Sequence, residues 1–251
     1  MTRAVRDFFL SVPAGRYPEY SSVNKFGRNS DIASGTTEDI WDGSALYSFP
    51  TTAVITSMSQ TANQAALVGG TIEIQGLDAD WNAVTQEKDL DGTNTTTVVT
   101  LDTPLIRVFR MKVLENVITD SPVRVHNAGE TQDYAIISIG NNQTLMAIYT
   151  VPNGKTAFVT QWYANLNPAT NKDPTTMNMR LWGRDNDAGY ERQLKHTLGL
   201  NPSGASHFLH SFAPYYKFTQ KTDIYLDGTT VGKAADISAG FDLILQDNNV
   251  I

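Results

Sequence analysis

Thr71-Ile72-Glu73-Ile74-Gln75 alternates apolar and polar side chains without a break. Successive side chains of a strand point to opposite faces, so this stretch reads as a half-buried β-strand. Gly76-Leu77-Asp78-Ala79-Asp80-Trp81-Asn82 follows as a turn, and residues 83–90 as the returning strand. Asp91-Gly92 marks the next turn, and the Thr/Val run from Thr95 to Leu101 has a strong β composition. After Pro104, residues 105–114 place Phe109, Met111 and Val113 on one face and Arg110 and Lys112 on the other. Residues 51–125 are therefore expected to form a small antiparallel β module.

Downstream the pattern continues. Residues 134–139 and 144–151 are apolar runs flanking Gly140-Asn141-Asn142, a hairpin signal. Pro152-Asn153-Gly154-Lys155 turns the chain into a strand over 156–166. Residues 175–184 alternate, with Met177, Met179 and Leu181 opposite Asn178 and Arg180, and Asp185-Asn186-Asp187-Ala188-Gly189 ends them. Further strands are expected over 190–198, 207–212, 223–226 and 239–246. Many short strands joined by Asn/Asp/Gly turns point to an antiparallel β-sandwich of the jelly-roll type over residues 126–251. The fold class expected is all-β.

Residues 1–50 read differently. Val12-Pro13-Ala14-Gly15 and Tyr17-Pro18 interrupt regular structure, and a polar stretch with isolated aromatics follows. This is expected to be an extended, mostly irregular N-terminal arm lying on its own domain or on a neighbouring subunit. Phe26, Trp41, Tyr47 and Phe49 are its candidate interface anchors, since buried aromatics dominate interface energy.

Composition narrows the function. Charged residues are 18% of the 251, and the net charge of −7 disfavours direct contact with nucleic acid, which needs clustered Lys and Arg. The absence of cysteine removes disulfides, thiolate metal sites and cysteine nucleophiles together. No run approaches the ~18 apolar residues of a membrane span. The short apolar patch Phe8-Phe9-Leu10 is bracketed by Asp7 and Arg16, so no targeting signal is read and assembly in the cytoplasm is expected.

The candidate chemistry is thin. His207 and His210 fall on opposite faces of a strand, which argues against a shared metal. Asp78-Ala79-Asp80-Trp81-Asn82 with Asp89 has nearly the spacing of a calcium loop, but Ala83 stands where the loop needs glycine; a hairpin turn is the better reading. Asp185-Asn186-Asp187 takes the same discount. Glu38 and Asp39, or Glu130, Asp133 and Glu191, have no sequence relation that marks a glycosidase pair. Ser203 to His207 is a loop entering a strand, and neither a G-x-S-x-G elbow nor a phosphate-binding loop is present. Trp162-Tyr163 and Tyr215-Tyr216 fit core or interface packing better than a sugar platform. No enzyme, cofactor or metal site is expected.

Several stretches together resemble a family of virion structural proteins of tailed bacteriophages, many infecting aquatic bacteria. They are Val23-Asn24-Lys25-Phe26-Gly27-Arg28-Asn29, Glu38-Asp39-Ile40-Trp41-Asp42-Gly43, Ile74 to Asp78, Leu105 to Arg110, and Gln143 to Pro152 with Gly154 to Ala157. Ser206-His207-Phe208, Phe212-Ala213-Pro214 and Val231 to Leu245 complete the set, with Asp236 to Leu245 the clearest. The resemblance implies a non-enzymatic virion component and no catalytic residues. The expectation preferred is a capsid decoration or head-surface protein, a homo-oligomer such as a trimer, bound to the major capsid protein or other virion proteins. A low-copy tail, collar or connector protein and a receptor- or glycan-binding module are the alternatives.

Overall fold

The computed structural model describes residues 7–167, 169–172 and 174–250. After one helical turn, α1 (Phe8–Ser11), come β1 (Tyr20–Ile32) and β2 (Thr37–Asp39). Next are β3 (Ile55–Gln60), β4 (Thr71–Leu77), β5 (Ala83–Asp89), β6 (Val99–Leu105), β7 (Arg107–Val113), β8 (Val123–Asn127) and β9 (Asp133–Ile137). The chain closes with β10 (Ile148–Thr150), β11 (Lys155–Leu166), β12 (Thr176–Asp185), β13 (Gln193–Leu200), β14 (His207–Phe218), β15 (Thr222–Val231) and β16 (Ala235–Asp247). The all-β expectation is met.

Two sheets make the larger sandwich, one in the order β1-β16-β11-β14 and the other β10-β15-β12-β13, with β2 also on β15. β2 and β10 lie end to end along the same edge of β15, at Thr37↔Thr229 to Asp39↔Asp227 and then Ile148↔Tyr225 to Thr150↔Asp223. Taken as one interrupted strand, they make the second of eight, and the sheets then run 1-8-3-6 and 2-7-4-5. That order is a jelly roll. Alternating side chains from both sheets, among them Trp162, Phe241, Met179 and Leu226, fill the space between them.

Residues 41–146 interrupt that second strand. The Ile40 amide donates to the Leu226 carbonyl (2.9 Å), the Leu226 amide to the Ala147 carbonyl (3.2 Å), and the Ala147 amide to the Ile40 carbonyl (2.9 Å). The ladder left at Ile40 is thus resumed at Ala147, and Trp41 bridges Met146 where the two legs stand side by side. Such adjacency of ends is what lets one domain sit inside another. The inserted lobe is a smaller sandwich of sheets β6-β3-β8-β9 and β5-β4-β7 with its own core around Ile55, Met58, Ile72, Ile74, Val125 and Ile137. It carries 12 of the chain's 26 acidic residues but 5 of its 19 basic ones, so the whole net charge of −7 resides there.

Three expectations are corrected. First, residues 1–50 are not a mostly irregular arm: β1 pairs with β16 from Tyr20↔Gln246 to Ile32↔Ala235. Its inward positions Lys25, Gly27 and Asn29 are buried without being apolar, so the period-2 hydrophobic signal never appears. Residues 1–6 of that arm lie outside the described residues. Second, the division at 125/126 cuts a hairpin: β8 and β9 pair with each other inside the inserted lobe, while β1 and β2 belong to the jelly roll. Third, residues 134–139 and 144–151 do not form a hairpin. β9 pairs with β8 and β10 with β15; both runs are apolar because each faces a core. Among the described residues no helix is long and apolar enough to cross a membrane.

Candidate functional site

Three of the four aromatics singled out as interface anchors meet inside this chain. Trp41 and Tyr47 are edge-to-face at 5.1 Å between centroids, Tyr47 and Phe49 at 4.8 Å, and Phe49 packs on Tyr225 of β15 at 5.1 Å. Trp41 is 3% and Tyr47 6% exposed, so neither is available to a partner as an exposed anchor. The segment docks on its own chain and forms the joint between jelly roll and inserted lobe. Phe26 is separate: it lies half-buried on β1, at a cleft of about 420 Å³ between the two lobes.

The joint is also ionic. Arg107 of β7 forms a forked pair with Asp223 of β15, Nε to Oδ1 at 2.8 Å and a terminal nitrogen to Oδ2 at 3.0 Å. Both side chains are buried, and Thr150 and Asn186 donate to the same carboxylate at 2.6 and 2.9 Å. The Arg107 guanidinium also lies over Trp81 (4.8 Å) and Phe49 (5.3 Å), so one side chain ties the lobe's turn, the connecting segment and the jelly roll. Nearby, Asp39 accepts the Tyr47 amide at 2.6 Å through Oδ2, while buried Oδ1 has no partner among the described residues. Burial pushes the Asp39 carboxyl up to about 7, opposed by the Tyr47 hydrogen bond, with the Asp227 carboxylate adding to the rise. Asp227 itself is forked onto Arg180 at 2.7 and 3.1 Å.

The jelly roll is covered along one side and open along the other. The inserted lobe leaves from the β2/β10 side. On the opposite side, among the described residues, β13 pairs only with β12, and β14 only with β11. That open edge exposes Leu209 (58%), Leu194 (49%), Tyr215 (42%) and Phe208 (36%). His196 of β13 and His210 of β14 stack across the seam with centroids 4.0 Å apart. Burial, and then the neighbouring His210, hold the His196 imidazolium below its usual range. Long unpaired edges that carry apolar side chains are templates for association. The sequence signal was present in Phe208-Leu209, but nothing local says which strand ends a sheet.

The remaining candidates resolve into structure. Asp78 Oδ1 accepts the amides of Asp80 and Asn82, both at 2.9 Å, which is a side-chain-closed turn. Asp187 pairs with Lys221 at 2.9 Å, and Glu130 and Asp133 both reach Arg124, at 3.0 and 3.7 Å. Glu38 accepts the Ala45 amide (3.1 Å) and the Asn29 amide group (2.9 Å), bracing the β2 turn. Trp162 is fully buried and Tyr215 exposed, so the two aromatic pairs do not form one platform. Among the described residues no three His, Asp or Glu cluster as a metal site would require.

No family model matches the chain, and no curated protein does. Solved structures with some likeness include the CBM22-1–CBM22-2 tandem domain of Paenibacillus barcinonensis Xyn10C, 8% identical over 86% of this chain and 93% of that one, with a TM-score of 0.24. Another is the particle protein of "Infectious Bursal Virus Derived T=1 Particles", 9% identical over 92% of this chain and 70% of that one, with a TM-score of 0.26. Scores this low carry no argument, so the fold stands on the strand order.

Proposed function

We propose that this chain is a structural, non-catalytic component of a bacteriophage virion, a homo-oligomer that decorates the head surface against the major capsid protein. The observation that carries the reading is the open β13/β14 edge: two unpaired edge strands with four exposed large apolar side chains, on a jelly roll whose other side is occupied. The occupant proposed for it is a second copy of the same chain, because a shell component meets its own kind at high local concentration. Jelly rolls recur in capsid and lectin domains, and the sequence resemblance favours the virion over the lectin. The acidic inserted lobe then forms the outer knob, where like charges keep neighbouring knobs apart.

Light scattering on the purified chain tests the assembly. An oligomer that Leu209→Asp converts to a folded monomer supports it; a wild-type monomer at every accessible concentration refutes it. Quantitative mass spectrometry of the virion tests the location. A copy number comparable with that of the major capsid protein supports decoration, and a handful of copies replaces it with a tail or connector role.

A further inference from the structure

The cleft between β1 and the inserted lobe buries a lysine that has no acidic partner among the described residues. Lys25 points inward from β1, is 3% exposed, and its Nζ donates to the Phe109 carbonyl of β7. A carbonyl takes one of the three N–H donors of an ammonium and none of its charge. Among the described residues no carboxylate lies within ion-pair distance of Lys25 or of Arg110, which lines the same cleft. Arg110 donates to the Asn24 carbonyl at 2.9 Å. Glu73, which feels the charge of Arg110, is already engaged: it pairs with Lys112 at 2.8 Å and accepts from Gln75 at 2.7 Å. Lys25 from β1 and Arg110 from β7 thus converge where the jelly roll meets the inserted lobe, although that lobe holds all the net negative charge.

Burying an amine without a carboxylate is unfavourable, and burial followed by the like charge of Arg110 drives the Lys25 pKa well below its ordinary value. An oxyanion bound between the two would relieve both effects. The rest of the cleft has the character of a carbohydrate site. Half-buried Phe109 supplies an aromatic surface, backed by the buried ring of Tyr149 at 4.9 Å between centroids. Gln75 and Gln143 place side-chain amides on the rim, and Gln143 makes no side-chain hydrogen bond among the described residues. A volume of about 420 Å³ admits one sugar ring with its substituents.

We infer that this cleft binds an acidic monosaccharide unit, its carboxylate between Lys25 and Arg110 and its ring against Phe109. The inference does not depend on the oligomer or on the place of the chain in a particle. The groups facing Lys25 are the Arg110 guanidinium from β7 and Tyr149 from β10, whose hydroxyl burial keeps neutral. Lys25 must therefore be the group that takes up a proton on binding, and affinity must fall as the pH rises through its lowered pKa.

The test is amide chemical-shift perturbation of the full chain with sodium glucuronate, with glucose and sodium sulfate as controls. Glucuronate is expected to shift Lys25, Phe109, Arg110 and Gln143 with a Kd of about a millimolar. Glucose should leave them unmoved, and sulfate should bind at least about tenfold more weakly. Lys25→Met, which keeps the buried stem and discards the charge, should remain folded and lose both the binding and its pH dependence. Arg110→Gln, at a partly exposed position, provides a second variant and should weaken binding by about tenfold. The inference is overturned if glucuronate moves none of these amides, if sulfate binds as well as glucuronate, or if binding persists in folded Lys25→Met.

Discussion

Asp39→Asn should flatten part of the protein's pH dependence of stability. The Asp39 carboxyl is buried at the root of the inserted lobe and is raised from 3.8 to about 7, so the folded state holds its proton more tightly than the unfolded chain does. A group of this sign contributes nothing unfavourable below its unfolded pKa. Stability is then lost as pH rises from about 4 to about 7, after which the loss is constant. Integrating the two titration curves between about pH 5 and about pH 8 gives a loss of about 2.5 kcal/mol from this residue. Asparagine retains an oxygen to accept the Tyr47 amide, which Asp39 now accepts at 2.6 Å, and it cannot ionise. Urea unfolding of wild type and Asp39→Asn at the two pH values isolates the residue, because every other titrating group is common to both chains. The variant should gain about 2.5 kcal/mol on wild type between the acid and the alkaline measurement. An unchanged gap would mean that Asp39 ionises normally and that the buried-carboxyl reasoning is wrong.

Arg107→Leu leaves Asp223 as a fully buried carboxylate without its partner and should cost about 3–5 kcal/mol by denaturant unfolding. The loss should be smaller in Arg107→Leu/Asp223→Asn, since no bare charge then remains. Gly27→Ala places a Cβ 2.4 Å from the Ala147 nitrogen and 2.5 Å from the Ile40 oxygen, backbone atoms that cannot yield. Its melting temperature should drop by more than that of Gly140→Ala, whose Cβ meets nothing within 4 Å although its φ of +80° carries the strain of a left-handed residue.

Gly27, within Val23 to Asn29, is where the strand leaving and the strand returning around the inserted lobe press on β1. Lys25 and Phe26 in the same stretch face the cleft between the lobes. The aromatics expected to anchor the chain on a partner do make close packing contacts, yet the far wall of their cluster is Tyr225 of the same chain. Spacing alone could not assign that partner, because a packed aromatic has the same sequence signature whichever molecule supplies the other face.

Alternation and turn chemistry determined the strand class, and most strands of the inserted lobe, by themselves. β4 and β5 run over Thr71–Leu77 and Ala83–Asp89, as the Ile72/Ile74 pattern and the Asp78–Asn82 turn predict. Both signals are local, arising from side-chain periodicity and from a carboxylate that closes its own turn. Which strands pair was decided only by the tertiary structure. β1 buries Lys25, Gly27 and Asn29, so its place beside β16 depends on contacts with the far end of the chain rather than on any apolar period. The interrupted second strand of the jelly roll is likewise invisible in sequence, since Ile40 and Ala147 become neighbours only when β15 offers both halves one ladder. Long-range hydrogen-bond pairing carries no period, and the open edge, the joint and the cationic cleft all follow from it.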